Sequence, residues 1–196
     1  TIERIEELFE KRIIRWRYDP VVITKQFGVE KCLENFDYLC MLMKKHSDEC
    51  IFSPCDYYKK TIQKMSGKGL EFVRPDMEQV ADISSKMAEI ANRHGVSLLC
   101  CAHDYLARDG VRKARCIDPV FLGNLLDSDR SIDHIMRLKT PRSRPECGCV
   151  QSTDIGAYDT CFFRCAYCYA THRGVPDKDS FLESVKSRDC LDPRFQ

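Results

Sequence analysis

Between residues 12 and 125, short runs of β-branched and aromatic side chains alternate with amphipathic helices, and this alternation limits the chain to one class of fold. RIIRWRY (12–18) reads as a strand ended by Asp19-Pro20, because the residue ahead of a proline is pushed out of helix and the ring removes a backbone donor. A helix follows over 29–46, with Val29, Leu33, Phe36, Cys40 and Met43 on one stripe. Lys44, Lys45 and His46 lie where a helix C-terminus favours positive charge. ECIFSPC (49–55) is a second strand. The clearest helix covers 76–93, where Met77, Val80, Ser84, Met87 and Ala91 recur three and four apart. Pro75 suits its first turn, and Gly95 the left-handed residue that ends it. VSLLCCA (96–102) is a buried strand, and Asp118-Pro119 opens a last short helix with Phe121, Leu122 and Leu125. Strands that alternate with helices imply right-handed crossovers and a mainly parallel sheet. The expected fold is α/β: a partial (β/α) barrel, the C-terminal half of a TIM-like barrel, with a small open sheet as the fallback. Three βα units are too few to close eight strands.

Around residue 138 the character changes. LKTPRSRPECGC (138–149) has two prolines, three basic residues and no helical stripe, so it should run extended. The expected division is a barrel-like domain over 1–137 and a Cys-rich appendage over 138–196. TIERIEELFEKRI, at the start, is charged and amphipathic, with Ile2, Ile5 and Phe9 at helical spacing, unlike a secretory signal. The absence of an initiator Met makes the chain read as a piece of something longer. Net charge is +1, so electrostatics point neither to nucleic acid nor to an anionic membrane. No apolar run approaches the roughly 20 residues that cross a bilayer. A cytoplasmic protein is the expectation.

Thirteen cysteines is the outlying number. The count is odd and no export signal is visible, so reduced thiolates that bind metal are favoured over a disulfide framework. Five of them, at 147, 149, 161, 165 and 168, fall within 22 residues. Cys161-x3-Cys165-x2-Cys168 has the spacing that binds a 4Fe-4S cluster in radical S-adenosylmethionine enzymes. A loop this short delivers three thiolates to three irons and leaves the fourth for an outside chelator. In those enzymes the amino and carboxylate groups of S-adenosylmethionine take that place. An electron from the cluster then breaks a C–S bond of the sulfonium; the chemistry is the cofactor's, while the protein supplies position and excludes water. Tyr167, just before the last cysteine, matches that family's aromatic at this point. A zinc site would more often show paired C-x2-C knuckles.

Four more cysteines form a second candidate set. Cys147 and Cys149, two apart in extended chain, point to one side. Cys101 ends its strand, where α/β folds place their sites, and Cys116 precedes the last helix. Together they suit a second 4Fe-4S cluster or zinc, unless Cys100 or Cys101 is a plain core residue. Cys32 and Cys40 fall on or beside a helix stripe and read as core. Cys50, Cys55 and Cys190 have no assignment, although Cys190 is a further candidate to reach a cluster.

With these residues in hand, the chain resembles a bacterial family of unknown function whose members join a barrel-like α/β domain to C-terminal cysteines of radical-SAM type. The resemblance is carried by IIRWRYDPVVIT (13–24), CAHD (101–104), CID (116–118) and CGCVQSTDIGAYDTCFFRCAYCYA (147–170). It implies that about a hundred residues of barrel precede this chain, and that Cys101, Cys116, Cys147 and Cys149 belong with the cluster cysteines as a set. That family is distantly similar to spore photoproduct lyase. The expected activity is therefore S-adenosylmethionine cleavage that starts radical chemistry on a small-molecule or nucleic-acid substrate, with an electron donor such as flavodoxin or ferredoxin. The alternatives are an iron–sulfur electron carrier or structural protein, and a zinc-stabilised binding module.

Other residues carry weaker signals. Arg15, Arg17 and Asp19 share one face of RWRYDP; Arg17 and Asp19 at a strand end suit a bound carboxylate or phosphate as catalytic residues, or a structural ion pair. His103-Asp104 suits an acid–base pair or an ordinary loop. Asp154-Ile155-Gly156 and Tyr158-Asp159 read as turns that position the cluster loop. Arg164 suits cluster charge or solvent, and Lys139, Arg142 and Arg144 make a small basic patch.

Overall fold

A computed structural model of the chain describes residues 2–9, 11–140, 146–153, 156, 158–161, 163, 165–171, 179, 182 and 183. The elements run α1 (Ile2–Leu8), β1 (Trp16–Val21), α2 (Val29–Met43), β2 (Glu49–Pro54), α3 (Lys59–Ser66), α4 (Met77–Arg93), β3 (Ser97–Cys100), β4 (Val111–Lys113), α5 (Pro119–Leu125) and α6 (Asp129–Met136). The chain divides into two compact units, residues 1–56 with 73–151 and residues 57–72 with 152–196.

In the first unit the four strands lie in chain order, β1-β2-β3-β4, all parallel. The sheet is open among the described residues, so the α/β class stands in its coarser form. Register settles the faces. Trp16, Cys50, Leu98 and Val111 stand side by side, as do Tyr18, Phe52 and Cys100 one layer on. This face packs with Phe36 and Cys40 of α2 and with Ile83, Met87 and Ala91 of α4 into the main core. Cys32, Cys40, Cys50, Cys55 and Cys100 are all buried, and burial pushes each thiol upward, Cys40 and Cys100 to about 12. Five of the cysteines are thus small apolar core residues, and for Cys50 and Cys55 that role has no signal in sequence.

Several boundaries differ from expectation. The first strand starts at Trp16, later than expected, and continues through the cis Asp19-Pro20 bond to Val21, with its register shifting between Tyr18 and Val21. β1 is an edge strand, where a proline's missing N–H can face away from the ladder. The helix expected over 29–46 stops at Met43, and His46 turns inward to bond the Glu6 carboxylate at 2.9 Å. β4, α3 and α6 were not anticipated.

The helix expected over 76–93 is α4, with Gly95 at φ +72° just after it. Its start is set by Asp76, whose carboxylate accepts the Gln79 N–H at 2.8 Å while the Gln79 side chain accepts the Asp76 N–H at 2.9 Å. This reciprocal cap satisfies two donors that the first helical turn leaves open. Asp76→Ala is expected to cost about 1 kcal/mol, read as a lower urea midpoint with an unchanged slope.

Candidate metal and thiol sites

The other face of the sheet carries a different chemistry. Arg17, Ile51, Leu99 and Arg112 share one row. Ile51, Leu99 and Ala114 form a small apolar cluster against which Cys101 and Cys116 pack. Arg17 makes an ion pair with Asp19, and Asp19 in turn accepts the Ser53 hydroxyl. Burial works against the Arg17 charge, but Asp19 and then Cys116 outweigh it and hold the guanidinium charged. The expected alternative of a structural ion pair is therefore present, and it is aimed at a cysteine.

Cys101 follows the last residue of β3, and Cys116 lies three residues beyond β4. Their sulfurs are 3.1 Å apart. The Arg17 guanidinium and the Cys149 thiol lie near enough to Cys116 to act on it, as Cys147 does on Cys149. The 147–151 segment is tied down by backbone bonds from Val150 N–H to the Ile117 carbonyl (3.1 Å) and from Gln151 N–H to the Lys139 carbonyl (2.8 Å). The Ile117 N–H donates to the Cys149 sulfur at 3.4 Å. Gly148 stands where a Cβ would meet the Arg115 side chain at 3.2 Å, so a larger residue there would have to shift that side chain slightly. Cys101 and Cys116 are in contact, and the 147–149 segment is bound alongside them.

Their electrostatics are unequal. The Cys101 hydrogen bond pulls the Cys116 thiol below its ordinary range; burial opposes this, and Arg17 adds to it by hydrogen bond and charge. Cys101 is pushed up by the same contact, with burial adding to the rise. Burial also raises Cys149. Nearby, His103 Nδ1 bonds the Cys101 carbonyl at 2.9 Å, whereas the Asp104 carboxylate bonds Lys113 at 2.7 Å. These two neighbours thus turn to different partners and are not an acid–base pair.

The second unit holds the C-x3-C-x2-C loop. Cys161 and Cys165 are exposed and Cys168 is half-buried. The Cys168 N–H donates to the Cys165 carbonyl at 3.1 Å, which makes the turn between them. The Cys168 sulfur accepts the Thr171 hydroxyl at 3.4 Å. Burial raises the Cys168 thiol, but the Thr171 hydroxyl, the backbone N–H groups of Ala170 and Thr171, and the Lys64 charge together pull it below its ordinary value. Lys64, near the end of α3, donates to the Cys168 carbonyl at 2.9 Å and to that of Thr171. Asp159, at φ +62°, donates its N–H to the Ala170 carbonyl at 3.0 Å and so ties the start of the loop to its end. Tyr167 is half-buried, and Tyr169 packs against Tyr58 at 5.7 Å between ring centroids.

Thr171 and Lys64 were missed in the sequence. A threonine three residues past the last cysteine is a readable signal, whereas a lysine about a hundred residues upstream is not. Asp154, Ile155, Arg142, Arg144, Arg164 and Cys190 lie outside the described residues. Among the described residues, no three His, Cys, Asp or Glu side chains are grouped to hold a metal ion, and no helix is long and apolar enough to cross a membrane. No curated protein and no solved structure matches the chain. The model of a family described as a domain of unknown function, DUF1848, matches residues 1–170, and the chain belongs to that family.

Proposed function

We propose that the chain is an iron–sulfur protein of radical S-adenosylmethionine type, in which Cys161, Cys165 and Cys168 hold a 4Fe-4S cluster. The observation that carries the reading is the Cys168 sulfur. A hydroxyl, two backbone N–H groups and a lysine charge all favour its thiolate, and the thiolate is the form that binds iron. The donor set fits a cluster in another respect. A cubane takes one thiolate per iron, so its cysteines need not crowd into the shell of one ion. Cys161 and Cys165 are exposed on the loop and open to an incoming cluster.

Bound there, the cluster would supply an electron to S-adenosylmethionine at its open iron, with a small carrier such as flavodoxin or ferredoxin as donor. The chain's own part is to hold the loop closed through Asp159 and to set the Cys168 proton affinity through Thr171. Sequential strand order, and helices α2 and α4 on one face, support reading the sheet as an arc of a (β/α) barrel. The substrate would be a small molecule or a nucleic acid.

The test is anaerobic reconstitution of the full chain, with iron and sulfide counted and EPR recorded before and after S-adenosylmethionine. About four irons and four sulfides per chain, and a signal that changes on addition, are the expected result. A cluster whose signal ignores S-adenosylmethionine makes the protein an electron carrier. Zinc without sulfide overturns the reading.

A further inference from the structure

The thiols on the sheet were expected to hold a second cluster or zinc, and their arrangement fits neither. Two thiolates on one zinc, each about 2.3 Å from the ion at a tetrahedral angle, stand roughly 3.8 Å apart. Thiolates on separate irons of a cluster stand further apart still. The Cys101 and Cys116 sulfurs are closer, at 3.1 Å. Among the described residues no three ligating side chains, these included, are grouped to hold a metal ion. A disulfide requires about 2.05 Å, roughly 1 Å of approach between two half-buried side chains.

We propose that Cys101 and Cys116 are a dithiol that exchanges with small-molecule disulfides, Cys116 attacking and Cys101 resolving. The direction follows from what surrounds each sulfur. The first strand reaches Cys116, whose carbonyl accepts from Arg15 at 3.4 Å. Arg17, which Asp19 and Ser53 hold in place, sets its positive charge near the Cys116 sulfur. The Arg17 charge reaches Cys101 as well, but acts more strongly at Cys116. The thiolate is the nucleophile, so the sulfur nearer the guanidinium attacks first. In the first step the Cys116 thiolate attacks one sulfur of a disulfide RSSR, forming Cys116–S–S–R and releasing RS⁻. In the second, Cys101 loses its proton to solvent and attacks the Cys116 sulfur, forming the internal disulfide and releasing the second RS⁻. Two protein thiols are oxidised and one RSSR is reduced to two RSH. Cys149, in contact with Cys116, is the competing thiol. None of this draws on Cys161, Cys165 or Cys168, so the inference stands or falls apart from the cluster.

The full chain, treated with a reductant and a chelator, is incubated with glutathione disulfide, quenched in acid, alkylated and mapped by mass spectrometry. The expected product is a Cys101–Cys116 cross-link that a reductant removes. In Cys101→Ser, glutathione should accumulate on Cys116 at least tenfold more than it does on Cys101 in Cys116→Ser. A dominant Cys116–Cys149 bridge, no bridge at any oxidising ratio, or equal trapping in the two variants overturns the proposal. So does one tightly held zinc per untreated chain that shields all four thiols from alkylation until it is chelated. The wild-type map needs no variant, so a misfolded substitution leaves the test intact.

Discussion

Phe36→Ala lowers the stability of the sheet unit by about 3–5 kcal/mol, the largest loss expected from any single side chain here. Phe36 is fully buried in α2, with its ring stacked on Trp16 at 5.7 Å and tilted against Tyr18 at 5.1 Å. Truncation removes apolar area, leaves a cavity that a parallel sheet closes poorly, and forfeits two aromatic contacts worth about 0.5–1.5 kcal/mol each. Trp16 is the chain's only tryptophan, so its fluorescence reports directly on the damaged layer. The check is the urea midpoint followed by that fluorescence. Phe36→Leu should lose less than half as much. Tyr38→Ala, on the exposed side of the same helix, should stay within about 0.5 kcal/mol. A Phe36→Ala midpoint close to that of Tyr38→Ala would mean that α2 does not seal the sheet.

The same helix shows why part of the fold was legible in sequence. α2 and α4 are long enough for a 3.6-residue stripe to repeat, and their buried residues lie on or beside the stripes read. β4 is only VRK, with two of its three residues exposed, too short for any period to register. α3 (KKTIQKMS) and α6 (DRSIDHIM) are each eight residues of mostly polar chain, indistinguishable from loop by pattern. A proline inside β1 argued for an ending, because sequence does not reveal that the strand lies at the sheet's edge. The pairing of Cys101 with Cys116 was legible, since both follow strand ends on one side of the sheet. The approach of Arg17 to Cys116 was not, because it depends on the chain after β4 coming back to the first strand, where Arg15 donates to the Arg115 carbonyl at 2.6 Å.

Cys168→Ala abolishes iron–sulfur reconstitution if the proposed function holds, and Thr171→Val separates ligation from tuning. Without Cys168 the loop offers two exposed thiols and no third, so iron and acid-labile sulfide should fall at least tenfold. Cys161→Ala and Cys165→Ala should do the same. Cys149→Ala, in the other unit, should keep full occupancy. Thr171→Val leaves all three ligands but removes the hydroxyl 3.4 Å from the Cys168 sulfur. A hydrogen bond to a ligating sulfur drains charge from it and stabilises the reduced cluster, and such bonds help set cluster potentials. The valine protein should therefore hold its iron yet be harder to reduce, with its potential moving to more negative values. Without iron, the sign at Cys168 is just as definite. Losing the hydroxyl removes a partner that favours the thiolate, so the thiol pKa rises and alkylation at neutral pH slows. Iron content unchanged in Cys168→Ala, or a Thr171→Val potential that moves upward, would show that the sulfur is not the cluster's ligand and that its neighbours serve only the turn.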